Sequence, residues 1–174
     1  MERVVLNDDL YFITFTIVDW IDIFTRQEYK QFLADQLNYC VENKGIQIFA
    51  YVIMTNHMHL LLRVKEHTAV GGFIRDYKTY TSKEIYKLII SNNRESRKDW
   101  LKEIILRNGM KNPRNLKIQI WQNGSHTLSI YSSKFLKQKR KYIHDNPVRA
   151  GIVDEDWKYL YSSANINSPV KVIG

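Results

Sequence analysis

The chain has 174 residues, 44% of them hydrophobic, enough for one ordinary domain that buries its own core without disulfide or metal staples. Its one cysteine, Cys40, excludes a disulfide framework and a zinc site made of four thiolates. The start MERVVLNDDLYFITF lacks a secretory pattern and no apolar run reaches membrane-spanning length, so a cytoplasmic protein without a membrane partner is expected. The net charge of +8 is unevenly placed: residues 1–60 carry 4 Lys/Arg against 8 Asp/Glu, and the remainder carries 22 against 10. Such a distribution predicts a positive field over one portion of the molecule and favours nucleic acid as partner. Charge alone also fits a merely solubilising surface, an acidic protein or an anionic membrane.

In chain order, Tyr11–Val18 (YFITFTIV) is β-branched and aromatic without Gly or Pro and reads as a buried strand. A helix follows from Thr25, with Thr25 as cap, Glu28 three residues on and Gly45 just past the end. Ile46–Met54 and His59–Val64 read as a hairpin joined by Thr55-Asn56-His57. Gly71-Gly72 opens a second helix that gathers Phe73, Tyr77, Tyr80 or Thr81, Ile85 and Leu88 on one side. Residues 91–115 form a polar, partly helical insertion around an apolar patch at Trp100–Leu106. Leu116–Trp121 alternates and predicts a fourth strand. The order β-α-β-β-α-β is that of an α+β, ferredoxin-like sheet with helices on one face. An additional C-terminal helix from about Ser132, carrying Tyr142, is expected to stop at Pro147. Trp157, Tyr159 and Tyr161 in the tail are expected to fold back on the core. No repeat or linker divides residues 1–174, which predicts a single domain.

Two features carry chemistry. In His57-Met58-His59, residues two apart on a strand share a face, so two imidazoles converge on one divalent ion while Met58 enters the core. Taken alone, the spacing also fits two unrelated surface histidines. On the last helix Tyr142 and Asn146 lie four residues apart and share a face. A phenol there can attack a phosphate, and the Asn146 carbonyl oxygen can complete a mixed nitrogen and oxygen site that suits Mg²⁺ or Mn²⁺. As one of 11 tyrosines, Tyr142 reads equally well as a core aromatic beside Ile143. Lys137, Arg140, Lys141 and Arg149, with Lys134 and Lys139, surround it with phosphate-pairing charge, opposed only by Asp145. Arg75, Lys78 and Lys83 on the second helix are further DNA-contact candidates, with Tyr77 or Tyr80 as stacking residues; a solvated face gives the same pattern.

YVIMTNHMHLLLRV, with its His-hydrophobic-His pair, resembles the metal motif of the single-tyrosine (HUH) transposases. KYIHDNPVRAGIV, followed by Trp157 and Tyr161-Ser162-Ser163, resembles the REP-associated tyrosine transposases within that group. The resemblance runs from about Tyr11 to Ser163. It implies that His57 and His59 hold the metal, that Tyr142 is the nucleophile and that Asn146 helps hold the metal, although many relatives place Gln there. It implies transesterification of single-stranded hairpin DNA through a 5′-phosphotyrosine, in a nucleoid-associated protein acting as monomer or homodimer. Trp121-Gln122-Asn123-Gly124 matches the family's Trp-containing turn in part, and Ser125-His126-Thr127 departs from it, so the resemblance assigns no role to His126. Three alternatives stand beside this reading: a catalytically silent, domesticated hairpin binder; an RNA-binding ferredoxin-like module, whose aromatic strand signature is missing; and a water-using metal hydrolase indifferent to Tyr142.

Overall fold

The computed structural model describes residues 10–65, 69–111 and 117–173 and is organised around a four-stranded antiparallel sheet. The strands are β1 (Leu10–Thr16), β2 (Ile46–Ile53), β3 (His57–Val64) and β4 (His126–Ser129), in the spatial order β2-β3-β1-β4. The helices are α1 (Gln27–Asn43), α2 (Val70–Ser91), α3 (Lys98–Met110) and α4 (Ser133–Arg149). This is the expected α+β ferredoxin-like arrangement, with α3 inserted before the last strand and α4 added after it.

Strand alternation decides which face each side chain serves. The register pairs Thr16 with His57, Thr14 with His59 and Phe12 with Leu61 on one face, and Phe15 with Met58 and Ile13 with Leu60 on the other. On the second face Phe15 stacks on Tyr77 of α2 at 5.8 Å, and the Tyr77 hydroxyl donates to the Leu33 carbonyl of α1 at 3.1 Å. That face is the main core. On the first face α4 lies against the sheet, with Tyr142 edge-on to Phe12 at 5.9 Å. Helix α4 buries Leu136, Ile143 and Pro147 and leaves the 139, 142, 146 and 149 positions, spaced three and four apart, for the opening between helix and sheet.

Several sequence expectations are corrected. The fourth strand is not Leu116–Trp121. Of the described part of that segment only Trp121 bridges, to Ile17, and its burial does not alternate: Ile120 enters the core and the adjacent Trp121 packs on Phe15 and Phe24. Leu116 lies outside the described residues. Thr25 does not cap α1. Its hydroxyl accepts from the Arg97 guanidinium at 2.9 Å, and Arg26 holds the cap position without a side-chain bond to the helix amides. The hairpin turn is Met54–Asn56, so His57 belongs to β3 rather than to the connection. Helix α4 does not stop at Pro147 but continues to Arg149. A proline in the last turn gives up one amide donor, and here its ring is buried while its carbonyl accepts from Ile152 at 3.0 Å. In the tail Tyr159 and Tyr161 do fold back, whereas Trp157 stays exposed. Tyr77, offered as a stacking residue, is buried.

The segment after α2 fastens α3 to the rest. The Glu95 carboxylate, its side chain fully shielded, accepts from Arg26 at 2.9 Å, Arg97 at 3.1 Å and Tyr29 at 3.2 Å. Burial alone would raise the Glu95 pKa, but the hydrogen bonds from Arg97 and Arg26 win and hold it down to about 2. At the far end of α3, Gly109 lies so close to the chain at Lys117 that a Cβ on it would stand 2.4 Å from the Lys117 carbonyl. Among the described residues no helix is long and apolar enough to cross a membrane.

Candidate active site

Between the first face of the sheet and α4 opens a cleft of about 690 Å³ lined by Phe12, Thr14, Thr16, Trp20, His57, His59, His126, Lys139, Tyr142, Asn146, Arg149 and Ala150. The structure therefore brings together all four residues singled out as metal-holding or nucleophilic. The imidazoles of His57 and His59 stand 4.9 Å apart, and the Tyr142 ring lies 5.2 Å from His59 at 69°. Met58 between them is wholly buried, as strand alternation requires.

The hydrogen bonds fix where the imidazole lone pairs point. Asn56 donates its amide hydrogen to the Trp20 carbonyl at 3.2 Å, which leaves Asn56 Oδ1 as acceptor for His57 Nδ1–H at 2.7 Å. His57 Nε2 is then an unprotonated nitrogen, yet it faces another acceptor, Asn146 Oδ1, at 3.2 Å. Two acceptors in contact are reconciled by a shared proton, by a cation between them, or by turning the Asn146 amide so that its NH2 donates to the ring. Burial lowers the His57 pKa, partly offset by Asn146, and so disfavours the proton. His59 Nδ1 pairs with Thr14 Oγ1 at 2.8 Å, while its Nε2 is buried without a partner. Burial first, then the neighbouring His57, Lys139 and His126, push His59 down to about 3. Both rings are thus neutral, and their outer nitrogens are held in the manner of metal-ligating histidines. The donor set fits a divalent ion on two nitrogens and the Asn146 oxygen. Among the described residues no third His, Cys, Asp or Glu joins them.

The cations anticipated as DNA contacts fall into three groups. Arg149 lines the cleft with its guanidinium 5.3 Å from the Tyr142 ring centre, and Lys139 lies 5.7 Å from the same ring and 4.5 Å from that of Phe12. Lys137 and Lys141 are exposed on the outer side of α4, Lys141 paired with Asp145 at 2.7 Å, and Arg140 is half-buried. Arg75 and Lys78 belong to α2, across the sheet from the tyrosine. Arg75 pairs with Asp76 at 3.0 Å, and Lys78 donates to the Gln122 carbonyl at 2.6 Å and to that of Gly124, its pKa brought down to about 8 by burial. His144 turns away from the cleft, as expected, and bonds Ser163 at 2.9 Å.

Sequence reasoning missed Thr14, Trp20 and the place of His126, which is paired with Thr14 across β1 and β4 and so faces the cleft. A signal for the first existed: Thr14 and Thr16 put hydroxyls at period two into an otherwise apolar strand. A larger cavity of about 940 Å³ lies between α1 and α2, but neither histidine of the pair nor Tyr142 lines it.

Comparison with known proteins bears on the same residues. The family model described as "Transposase IS200 like" matches residues 11–104, more than half of the chain. The chain belongs to the IS200-like transposase family. The matched region contains His57 and His59 and ends before Tyr142. Among solved structures, this transposase is similar to a REP-associated tyrosine transposase bound to a REP hairpin, with a TM-score of 0.63 at 17% identity over 94% of this chain and 81% of that one. It is also similar to a putative transposase from Deinococcus radiodurans R1, with a TM-score of 0.50 at 16% identity over 83% of this chain and 95% of that one. No curated protein matches. At these identities the structural likeness speaks for the fold.

Proposed function

We propose that this IS200-like transposase cuts and rejoins single-stranded, hairpin-forming DNA by transesterification, with Tyr142 as nucleophile and Mg²⁺ or Mn²⁺ held by His57, His59 and Asn146. The observation that carries the reading is the convergence of the His57 and Asn146 acceptors, together with the unpartnered His59 nitrogen, beside the Tyr142 ring. When bound, the metal supplies Lewis-acid polarisation of a phosphate oxygen. Phe12 and His59 hold the Tyr142 ring edge-on, which orients the phenol towards the cleft. Lys139 and Arg149 flank that ring and attract the phosphate by charge. Attack of the phenol oxygen on phosphorus breaks the bond to the 3′ oxygen. The tyrosine then carries the 5′ phosphate, the phenol proton is given up and the released 3′ oxygen takes one up. Reversal rejoins the strand, because the bond energy is stored in the covalent intermediate. The structural neighbour bound to a hairpin supports hairpin DNA as the substrate.

The test incubates labelled hairpin-forming single strands with Mn²⁺ or Mg²⁺. Cleavage is expected with metal, absent in EDTA, and lowered on the order of 100-fold or more in His59→Ala. Binding without cleavage under every metal condition would instead identify a silent hairpin binder, and cleavage that survives Tyr142→Phe would identify a hydrolase.

A further inference from the structure

Two consecutive residues with side chains, Asp19 (φ 53°, ψ 17°) and Trp20 (φ 55°), occupy the left-handed region of the backbone. A Cβ makes that region costly, so the conformation persists only where the surroundings hold it. Helix α3 does the holding: Asn108 donates to the Asp19 carboxylate at 2.8 Å and Arg107 to the same oxygen at 3.4 Å. On the other side, the Trp20 carbonyl accepts from Asn56, whose oxygen in turn orients His57.

The result of this enforced turn is an indole that is 61% exposed, lines the cleft and stands edge-on to His57 at 6.5 Å. A tryptophan spends its large apolar area inside a fold by default. Here a strained backbone and a side-chain clamp present it to solvent beside the metal-holding pair. The cleft beyond it carries Lys139 and Arg149, so an occupant that meets the indole also meets positive charge. Flat, apolar on its faces and joined to phosphate, an unpaired nucleobase fits both features.

We propose that Trp20 is the stacking platform for an unpaired base next to the phosphate that Tyr142 attacks, and that α3 positions it. The inference rests on the DNA-cleaving reading of the cleft and deepens it. A base inside a duplex has both faces covered by its neighbours, so a platform at this place selects single strands at the cleavage site. It does so without reading sequence, since every base has a face to stack.

The test uses Tyr142→Phe protein to keep strands intact and compares hairpin strands that carry, at each position beside the cleaved linkage, either a base or an abasic residue. With Trp20 present, one abasic position should weaken binding roughly tenfold. Trp20→Ala should weaken binding of the intact strand by a similar factor and abolish the difference between base and abasic strands, while Trp20→Phe should restore most of it. Equal affinity of Trp20→Ala and its parent for the intact strand, or a base preference that persists without the indole, would overturn the platform. So would dissociation of a dimer by Trp20→Ala with unchanged DNA affinity, which would assign the indole to a contact between copies. Failure of the protein with Tyr142 intact to cleave, with the tryptophan-dependent base preference present, would sink only the transesterification reading. Absence of any single-strand binding would sink both.

Discussion

His59 concentrates the chemistry of the cleft in one ring. It is 4% exposed, one nitrogen is bonded to Thr14 and the other is buried without a partner. An unpaired buried nitrogen costs stability unless something occupies it, and this is the ground on which a metal is proposed at His59. The same burial predicts that the protein loses stability in acid when nothing occupies that nitrogen. The folded-state pKa of His59 lies below its ordinary value of 6.5, so the unfolded chain binds more protons, and stability falls as the pH drops. In EDTA this contribution should be whole above about pH 6.5 and decline as the pH falls towards about 3. Urea unfolding at pH 7.5 and pH 5 is expected to show the loss, and His59→Asn a smaller one; equal losses in both proteins would remove His59 as the cause. The identity of this residue was legible because strand alternation fixes faces. Its partner Thr14 comes from a strand 45 positions away in sequence, and no local pattern announces such a pairing.

Among the elements, those with a strong period were legible and those set by distant partners were not. The two long helices α1 and α2 and the β2–β3 hairpin follow from apolar spacing. Strand β4 does not, because His126-Thr127-Leu128-Ser129 is a short, largely exposed edge whose pairing is made by backbone rather than by an apolar run. Helix α3 appeared in the sequence only as a polar insertion with an apolar patch; Leu101 and Ile105 of that patch enter the core, but the charged and amide groups that fasten its ends pair with residues far away in sequence. Glu95 takes hydrogen bonds from the start of α1 and from Arg97, and Asn108 holds Asp19. Glu95→Gln removes the shared anion while leaving two guanidinium groups about a third exposed, and should cost about 3 kcal/mol in urea unfolding, near the low end for breaking a buried pair. A change below about 0.5 kcal/mol would mean that the cluster is a solvated ornament. Helix α4 teaches the converse. Its continuation through Pro147 was not legible from the rule for residues before proline, yet that continuation keeps Asn146 on the face of Tyr142 and within 3.2 Å of His57.

Across the whole molecule the sheet works as a partition. Its one face packs on α1 and α2 to make the main core, and its other face, with α4 laid across it, makes the cleft. The positive portion anticipated from the charge distribution contributes Lys139 and Arg149 to that cleft, while Arg75 and Lys78 sit on the far side of the sheet among groups that already satisfy them. Membership of the IS200-like family rests on residues 11–104, which supply the histidine pair, whereas the tyrosine comes from α4 beyond them. The central claim is therefore the joining of the two halves in one reaction, and it is tested most directly by mapping the covalent link. After incubation with hairpin-forming single strands and Mn²⁺, proteolysis and mass spectrometry should find a nucleotide 5′ phosphate on the peptide containing Tyr142, and none on the Tyr142→Phe protein. Cleaved DNA with no protein-linked nucleotide, or a link on any other residue, would contradict the account.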